Sequence, residues 1–238
     1  MLSVIIPLYN KASYIEKSIR SVLNQTYKEF ELIIVDDGST DNSLQIVKNL
    51  MNTSSKPLGG WNIVEQSNQG VSTARNNGVK HANFDHIAFL DADDWWSPTF
   101  LEEMNALIVH YPDAGIYGSS YYKVKKGKLI PANIGLESIF QSGLINYFQV
   151  YAKTLWMPLT SITTVIKKDI FKQLHGFNPM LKFGEDFDLW ARIAANYPVA
   201  FLNKPLAYYN QDVDVNERAV GVRLYKPHEH MLFSTYNQ

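Results

Sequence analysis

The sequence contains no cysteine. Disulfide scaffolds, thiolate catalysis and cysteine-based zinc or iron–sulfur centres are therefore excluded. It also lacks an excess of either charge: 22 Lys and Arg against 23 Asp and Glu give a formal net charge of −1. There is thus no global basic field of the kind that binds nucleic acid. No run approaches the ~18 apolar residues of a membrane span. The opening LSVIIPLYN is short, is broken by Pro7 and has no basic start, so it does not read as a signal peptide. The expectation is a cytoplasmic protein, with peripheral contact at the inner face of the membrane left open and the oligomeric state undetermined. Glycine is missing where a phosphate loop would need it: PLYNKAS follows the first apolar run. No G-x-G-x-x-G follows a strand pattern either, which argues against a dinucleotide oxidoreductase.

What remains is an ordinary globular composition, 46% hydrophobic and 19% charged over 238 residues. In the first half, apolar runs at 2–7, 30–37, 61–66 and 86–93 read as strands. Between them, helical spacing begins at Ile15 and recurs over 40–51 and 70–82, and Ser97-Pro98 opens a further helix. Ser13 to Glu16 has the form of a capping box. Strands alternating with helices imply βαβ units and a mostly parallel sheet. The second half is less regular. It reads as strand, basic turn and strand over 114–131, an aromatic helix over 144–156, a strand then a helix over 161–177, a helix over 184–198 and two short strands over 199–212. The expected organisation is one α/β domain over 1–215, regular to about 110, followed by a tail over 216–238. The KVKKGK stretch at 123–128 suits a solvated turn, with anionic lipid as the alternative.

In an open parallel sheet, ligands bind beyond the carboxyl ends of the strands. Three of the expected strands end in Pro7-Leu8-Tyr9-Asn10, Asp36-Asp37-Gly38-Ser39 and Asp91-Ala92-Asp93-Asp94. Carboxylates crowded on one sheet edge repel one another unless a cation sits among them. A cation held by one or two carboxylates and bridging to phosphates fits Mg2+ or Mn2+. Taken singly, each Asp pair is also explained by Asx-turns or helix caps. Asp41 and Asp94 are assigned to that structural role. Two acidic ends in one sheet favour a site.

Four stretches carry a resemblance: VIIPLYNKASYIEKSIRSVLNQTYKEFELIIVDDGSTDNS, NQGVSTARNNGV, FLDADDWW and GEDFDLWARI, in that order. Together they resemble the inverting family 2 glycosyltransferases of the GT-A fold, over roughly residues 2–210. The resemblance implies a Rossmann-like, mostly parallel sheet flanked by helices, with a nucleotide-binding half over 1–110 and an irregular acceptor-binding half over 111–215. It also implies a nucleotide-diphosphate sugar, in this case a UDP-sugar, as donor. The acceptor would be a glycan or lipid-linked hydroxyl, in polysaccharide, cell-envelope glycan or glycolipid synthesis, with no nucleic acid involved. Residue by residue, Pro7 and Tyr9 would line the base and ribose. Asp36 and Asp37 would read the uracil, with Asp37 accepting its N3–H. Arg75 would stand at the nucleotide end. Asp91 would face the ribose or sugar, and Asp93 would bind the Mn2+ or Mg2+. Glu185 would lie on the acceptor side, and Asp186 would be the general base.

Asp186 opens a helix whose dipole lowers its pKa, whereas burial or Glu185 would raise it. Trp190 is placed in the acceptor or donor pocket, with core packing as the alternative. Trp95 and Trp96 are expected mainly to pack. His228 and His230 form an HxH pair that reads either as a further metal ligand or as part of a surface tail. Two other activities compete with this reading: a non-catalytic nucleotide-sugar-binding subunit, and a sugar nucleotidyltransferase, which the glycine-free first loop disfavours.

Overall fold

The computed structural model describes residues 1–214. His228 and His230 lie outside the described residues. The first half is built as β1 (Leu2–Leu8), α1 (Ile15–Leu23), β2 (Phe30–Asp36), α2 (Ser43–Thr53), β3 (Trp61–Glu65), α3 (Val71–His81) and β4 (His86–Phe89). Then follow β5 (Trp95–Trp96), α4 (Phe100–His110), β6 (Ile116–Lys125), β7 (Lys128–Pro131), β8 (Ser142–Ile145) and α5 (Tyr147–Thr154). The last elements are β9 (Thr164–Lys167), α6 (Lys168–Gln173), α7 (Glu185–Ala194) and β10 (Val199–Asn210).

The strands among the described residues join one sheet in the order β3-β2-β1-β4-β9-β6-β10-β5, with β7 beside β6 and β8 beside β10. The first four strands pair in parallel, as the βαβ pattern requires. The second half extends the sheet differently. There β9 runs antiparallel to both β4 and β6, while β10 is parallel to β6. Parallel pairing thus marks the first four strands and mixed pairing the rest, β5 included, which runs antiparallel to β10.

Period-two alternation sends side chains to two cores. From β1 and β2, Val4, Ile6, Leu32 and Ile34 face a layer made by α1, α2 and α4, with Ile19, Val47 and Met104 buried among them. Ile5, Ile33 and Val35 face the opposite layer of α3, α5, α6 and α7, with Ala74, Val150, Phe171 and Ile193. Burial on both faces explains why these strands read as unbroken apolar runs.

Several element ends differ from expectation. Ser13 does not cap α1: Tyr14 takes the N-cap position, and Lys11 O accepts the Tyr14 and Ile15 amides, both at 2.9 Å. The helix expected from Ser97-Pro98 starts two residues later, because Leu101 N donates to Gln25 Oε1 and Pro98 O accepts from Thr26 N instead of joining the helical ladder. The residues from 144 do not all enter a helix, because Ser142–Ile145 instead pairs with β10. Where two short strands were expected over 199–212, Val199–Asn210 forms one long strand, with register shifts on either side of Pro205. A proline cannot donate to the ladder, so the strand bulges there without ending.

Candidate active site

The carboxyl ends of β1, β2 and β4 open on one edge of the sheet, and their loops are stitched together by polar side chains. Asn10 N donates to Ser39 Oγ at 3.1 Å, and Lys11 N donates to Ser43 Oγ at 2.7 Å. Asp41 accepts from Ala12 N and Ser43 N, so its assigned structural role holds. Pro7 is buried within β1, opposite Val35. The pairing of β1 with β4 ends at Ile5 and Phe89, so the missing proline N–H is not needed by β4. Of the two residues expected to line the base, Tyr9 is the exposed one and Pro7 is buried.

Asp36 and Asp37 are both buried. Asp36 closes the turn by accepting from Ser39 N. Asp37 Oδ1 accepts from Gln66 Nε2 at 2.7 Å and from Gln69 N at 2.8 Å, and Oδ2 accepts from Gly70 N at 2.8 Å. It thereby ties the end of β2 to the loop that starts α3. Gly38 lies between Asp37 and Ser39 at φ +75°, where a Cβ would stand 3.0 Å from Asn68 N. Only glycine takes this turn without strain.

The DAD loop is held from below by Ser18 of α1, whose hydroxyl donates to Ala92 O and Asp94 O at 2.9 and 2.5 Å. Its three carboxylates separate as their surroundings differ. Asp94 is fully enclosed and accepts from Asn210 N at 2.6 Å. Burial and the neighbouring Asp93 and Asp91 hold its pKa well above the ordinary carboxylate value. Asp93 pairs with Lys11 Nζ at 2.8 Å. Burial raises its pKa as well, with Lys11 opposing. Asp91 pairs with Arg75 Nη2 at 2.7 Å.

Arg75 joins the two halves of the site. It rises from α3 with a side chain only 4% exposed and spans from Asp91 to Glu185 Oε1, 3.0 Å from Nη1. Burial would lower its pKa, but Asp91 and Glu185 outweigh burial and raise it. The guanidinium also lies 5.1 Å from the Phe177 ring. Glu185 and Asp186 open α7 after Gly184, whose φ of 78° lets the chain turn sharply into the helix.

Asp186 Oδ1 accepts the Phe187 amide at 2.8 Å. Burial and the adjacent Glu185 push its pKa up to about 7, against the pull of Arg75 and the Phe187 N–H. The two opposing influences recognised in the sequence thus resolve in favour of burial, and Asp186 is pushed toward neutrality although the residue as a whole is only partly buried. Around it stand tyrosines that sequence spacing did not single out. Asp186 adds to the effect of burial in raising Tyr121 to about 12 and also raises Tyr147. Tyr121 Oη accepts Trp156 Nε1 at 2.6 Å, and the half-exposed Trp156 ring carries Lys123 Nζ 3.6 Å above it. The Tyr147 hydroxyl is buried without a partner among the described residues.

Trp190 does not face a pocket. It is fully buried in the core, its ring centroid 5.8 Å from that of Phe177. One helical turn separates it from the exposed end of α7, so the indole falls on the face that packs against the sheet. The adjacent tryptophans also pack. Trp96 Nε1 donates to Ile162 O at 2.7 Å, and Trp95 stacks on Tyr208 at 5.4 Å.

Among the described residues, no group of three or more His, Asp or Glu is arranged to hold a metal alone. A hard cation at Asp93 would take its other ligands from phosphate and water, the usual coordination of Mg2+ beside phosphates. The ammonium of Lys11 already stands against Asp93, so this carboxylate environment accepts a cation.

The acidic strand ends thus share one edge of a mixed α/β sheet and are cross-tied through Arg75 to the acidic pair that opens α7, and open α/β sheets bind their ligands at such strand ends. The chain belongs to glycosyl transferase family 2, whose model matches residues 3–175. It is 30% identical over 216 residues to the glycosyltransferase GlyA of Streptococcus pneumoniae serotype 4, covering 87% of this chain and 30% of that protein. An uncharacterized glycosyltransferase of Rickettsia conorii is 32% identical over 237 residues, covering 93% of this chain and 35% of that one. Among solved structures, Staphylococcus aureus TarS 1–349 in complex with UDP has the same GT-A fold, with a TM-score of 0.73 and 25% identity. That match covers 88% of this chain and 60% of the TarS chain. The chain therefore spans about a third of the length of these curated relatives.

Proposed function

We propose that the chain is the catalytic domain of an inverting glycosyltransferase that moves a sugar from a UDP-sugar to a hydroxyl of a glycan or lipid-linked acceptor, with Asp186 as general base. The observation that carries this reading is the state of Asp186: pushed up to about 7, partly exposed, and tied through Glu185 and Arg75 to Asp91 of the DAD loop. A base that titrates near the working pH combines the right protonation state with useful proton affinity.

The donor reading is supported by the UDP bound in TarS and by the lone-pair capacity left on Asp37. A carboxylate offers about four acceptor positions, and only one of the three bonds to Asp37 falls on Oδ2. The uracil N3–H would take the remaining position, with the exposed Tyr9 against the base or ribose. Asp93 would hold Mn2+ or Mg2+ against the diphosphate. When bound, such a cation stabilises charge on the departing diphosphate as a Lewis acid.

The remaining work belongs to the chain. Arg75 keeps Asp91 turned toward the nucleotide and Glu185 beside the base. Asp186 keeps Oδ2 for the acceptor hydroxyl while Oδ1 is held by the Phe187 amide. A nucleoside diphosphate leaves as an anion, so one base suffices and no carboxylic acid need protonate the leaving group. Tyr121 and the Trp156 face would form the wall against which an acceptor sugar packs.

The test is Asp186→Asn assayed against a panel of UDP-sugars. Turnover, including slow donor hydrolysis, should fall about 10²- to 10⁴-fold, while UDP affinity stays within a few-fold of wild type. Unchanged turnover removes Asp186 from the role, and selective binding of purine nucleotide-sugars removes the uracil assignment.

A further inference from the structure

Lys11 was not singled out by any motif, yet its placement is more constrained than that of a surface lysine. Its amide is held by Ser43 Oγ, its carbonyl receives the amides of Tyr14 and Ile15 at the start of α1, and Asn10 before it takes a left-handed φ of 49°. The backbone is thus fixed on three sides, and the side chain, 12% exposed, ends 2.8 Å from Asp93 Oδ2. Arg75, the other buried cation of the site, is already committed to Asp91 and Glu185.

We propose that Lys11 is a resident cation of the nucleotide site: it stands at Asp93 in the metal-free protein and is displaced when a divalent cation binds there with the nucleotide. The inference rests on the donor reading above. One carboxylate oxygen does not hold an ammonium and a divalent cation at contact distance without strong repulsion between them. An ammonium is a point charge with three donors, whereas Mg2+ or Mn2+ binds carboxylate and phosphate oxygens at once. The metal therefore prevails when a diphosphate is present, and Lys11 partly fills its place when the metal is absent.

Two consequences follow for this side chain. In metal-free protein, Lys11 favours binding of a nucleoside diphosphate beside acidic residues that would otherwise repel it. In the metal-bound complex, it opposes the metal. Together these weaken the coupling between metal and nucleotide, because part of what the metal supplies is already present.

The experiment measures UDP affinity by calorimetry in EDTA and in MnCl2, for wild type, Lys11→Met, Lys11→Arg and Asp93→Asn, each checked for folding by circular dichroism. The quantity read is the ratio of the two dissociation constants. Lys11→Met should raise this ratio about tenfold, within the usual range of coupling between two ligands, and Lys11→Arg should stay near wild type. Asp93→Asn should bring the ratio close to one. If Lys11→Met does not fold, Lys11→Gln takes its place with the same expectation. A ratio in the neutral variant equal to or below wild type overturns the proposal, as does a ratio that survives Asp93→Asn. UDP binding that is unaffected by Mn2+ in every variant also overturns it and leaves the donor reading standing. Failure of wild type to bind UDP in either buffer removes the donor reading, and the proposal with it.

Discussion

At the scale of single residues, the site is a chain of compensated charges. Lys11 answers Asp93, and Arg75 answers Asp91 and Glu185. Asp186 forms no ion pair of its own among the described residues and is pushed up to about 7. A carboxylate whose folded pKa lies above its unfolded value costs stability as pH rises between the two. Asp186→Asn should therefore raise the melting temperature relative to wild type at pH 8, with the gap closing toward pH 4; melting curves across that range check it. In wild type, kcat/KM should rise with pH through a limb near 7. Arg75 pulls Asp186 down, so Arg75→Met should move that limb to higher pH. It should also destabilise the fold by about 1–3 kcal/mol, because two partly buried carboxylates lose their partner. A limb that stays in place would remove the electrostatic link between Arg75 and Asp186. Much of this was legible in the sequence, because Asp91, Asp93, Arg75 and Asp186 all lie in recognisable motifs. Lys11 and Tyr121 were not, since nothing in their local spacing distinguishes them from surface and core residues.

At the scale of elements, helix α3 shows how packing positions chemistry. Gly78 faces the sheet so closely that a Cβ would meet Ile5 Cγ2 at 2.5 Å and Val35 Cγ2 at 3.1 Å. The close approach seats Arg75, one turn earlier, over the strand ends. Gly78→Ala should cost about 1–3 kcal/mol through overpacking, read as a lower denaturation midpoint, and should weaken UDP binding by shifting Arg75. Stability within 0.5 kcal/mol of wild type would show that the helix yields freely. The elements themselves followed from periodicity where both sheet faces are buried, as in β1 and β2. They differed where pairing partners decide: β8 takes the first two residues, 144 and 145, of a stretch that reads as helix, and β10 runs through Pro205 because β6 supports it on both sides of the bulge. Trp190 is the same lesson in one side chain. Its place in a site motif suggested a pocket, and the face of α7 that meets the core decided otherwise.

At the scale of the whole molecule, one sheet carries both halves, and β9 and β6 continue the order begun by β4. Both cores draw on each half: Ile5 and Phe201 share one, and Val4 and Leu206 share the other. The described residues should therefore unfold in one cooperative step, with fluorescence and circular dichroism transitions coinciding in denaturant. Two separated transitions would mean that the halves are independent. UDP at 100 times its dissociation constant should add about 2.7 kcal/mol to that step. No helix among the described residues is long and apolar enough to cross a membrane.

The sequence by itself determined the parallel half of the sheet and the acidic strand ends, because strand runs, turn residues and motifs are local and their periods follow from backbone geometry. It also carried the family, through four motifs in order. Only the tertiary structure decided which carboxylate keeps a free oxygen, which is neutralised and which is buried for packing. Those outcomes depend on side chains far apart in the chain, Lys11 with Asp93, Arg75 with Glu185 and Asp94 with Asn210, and on the burial that only the assembled core provides.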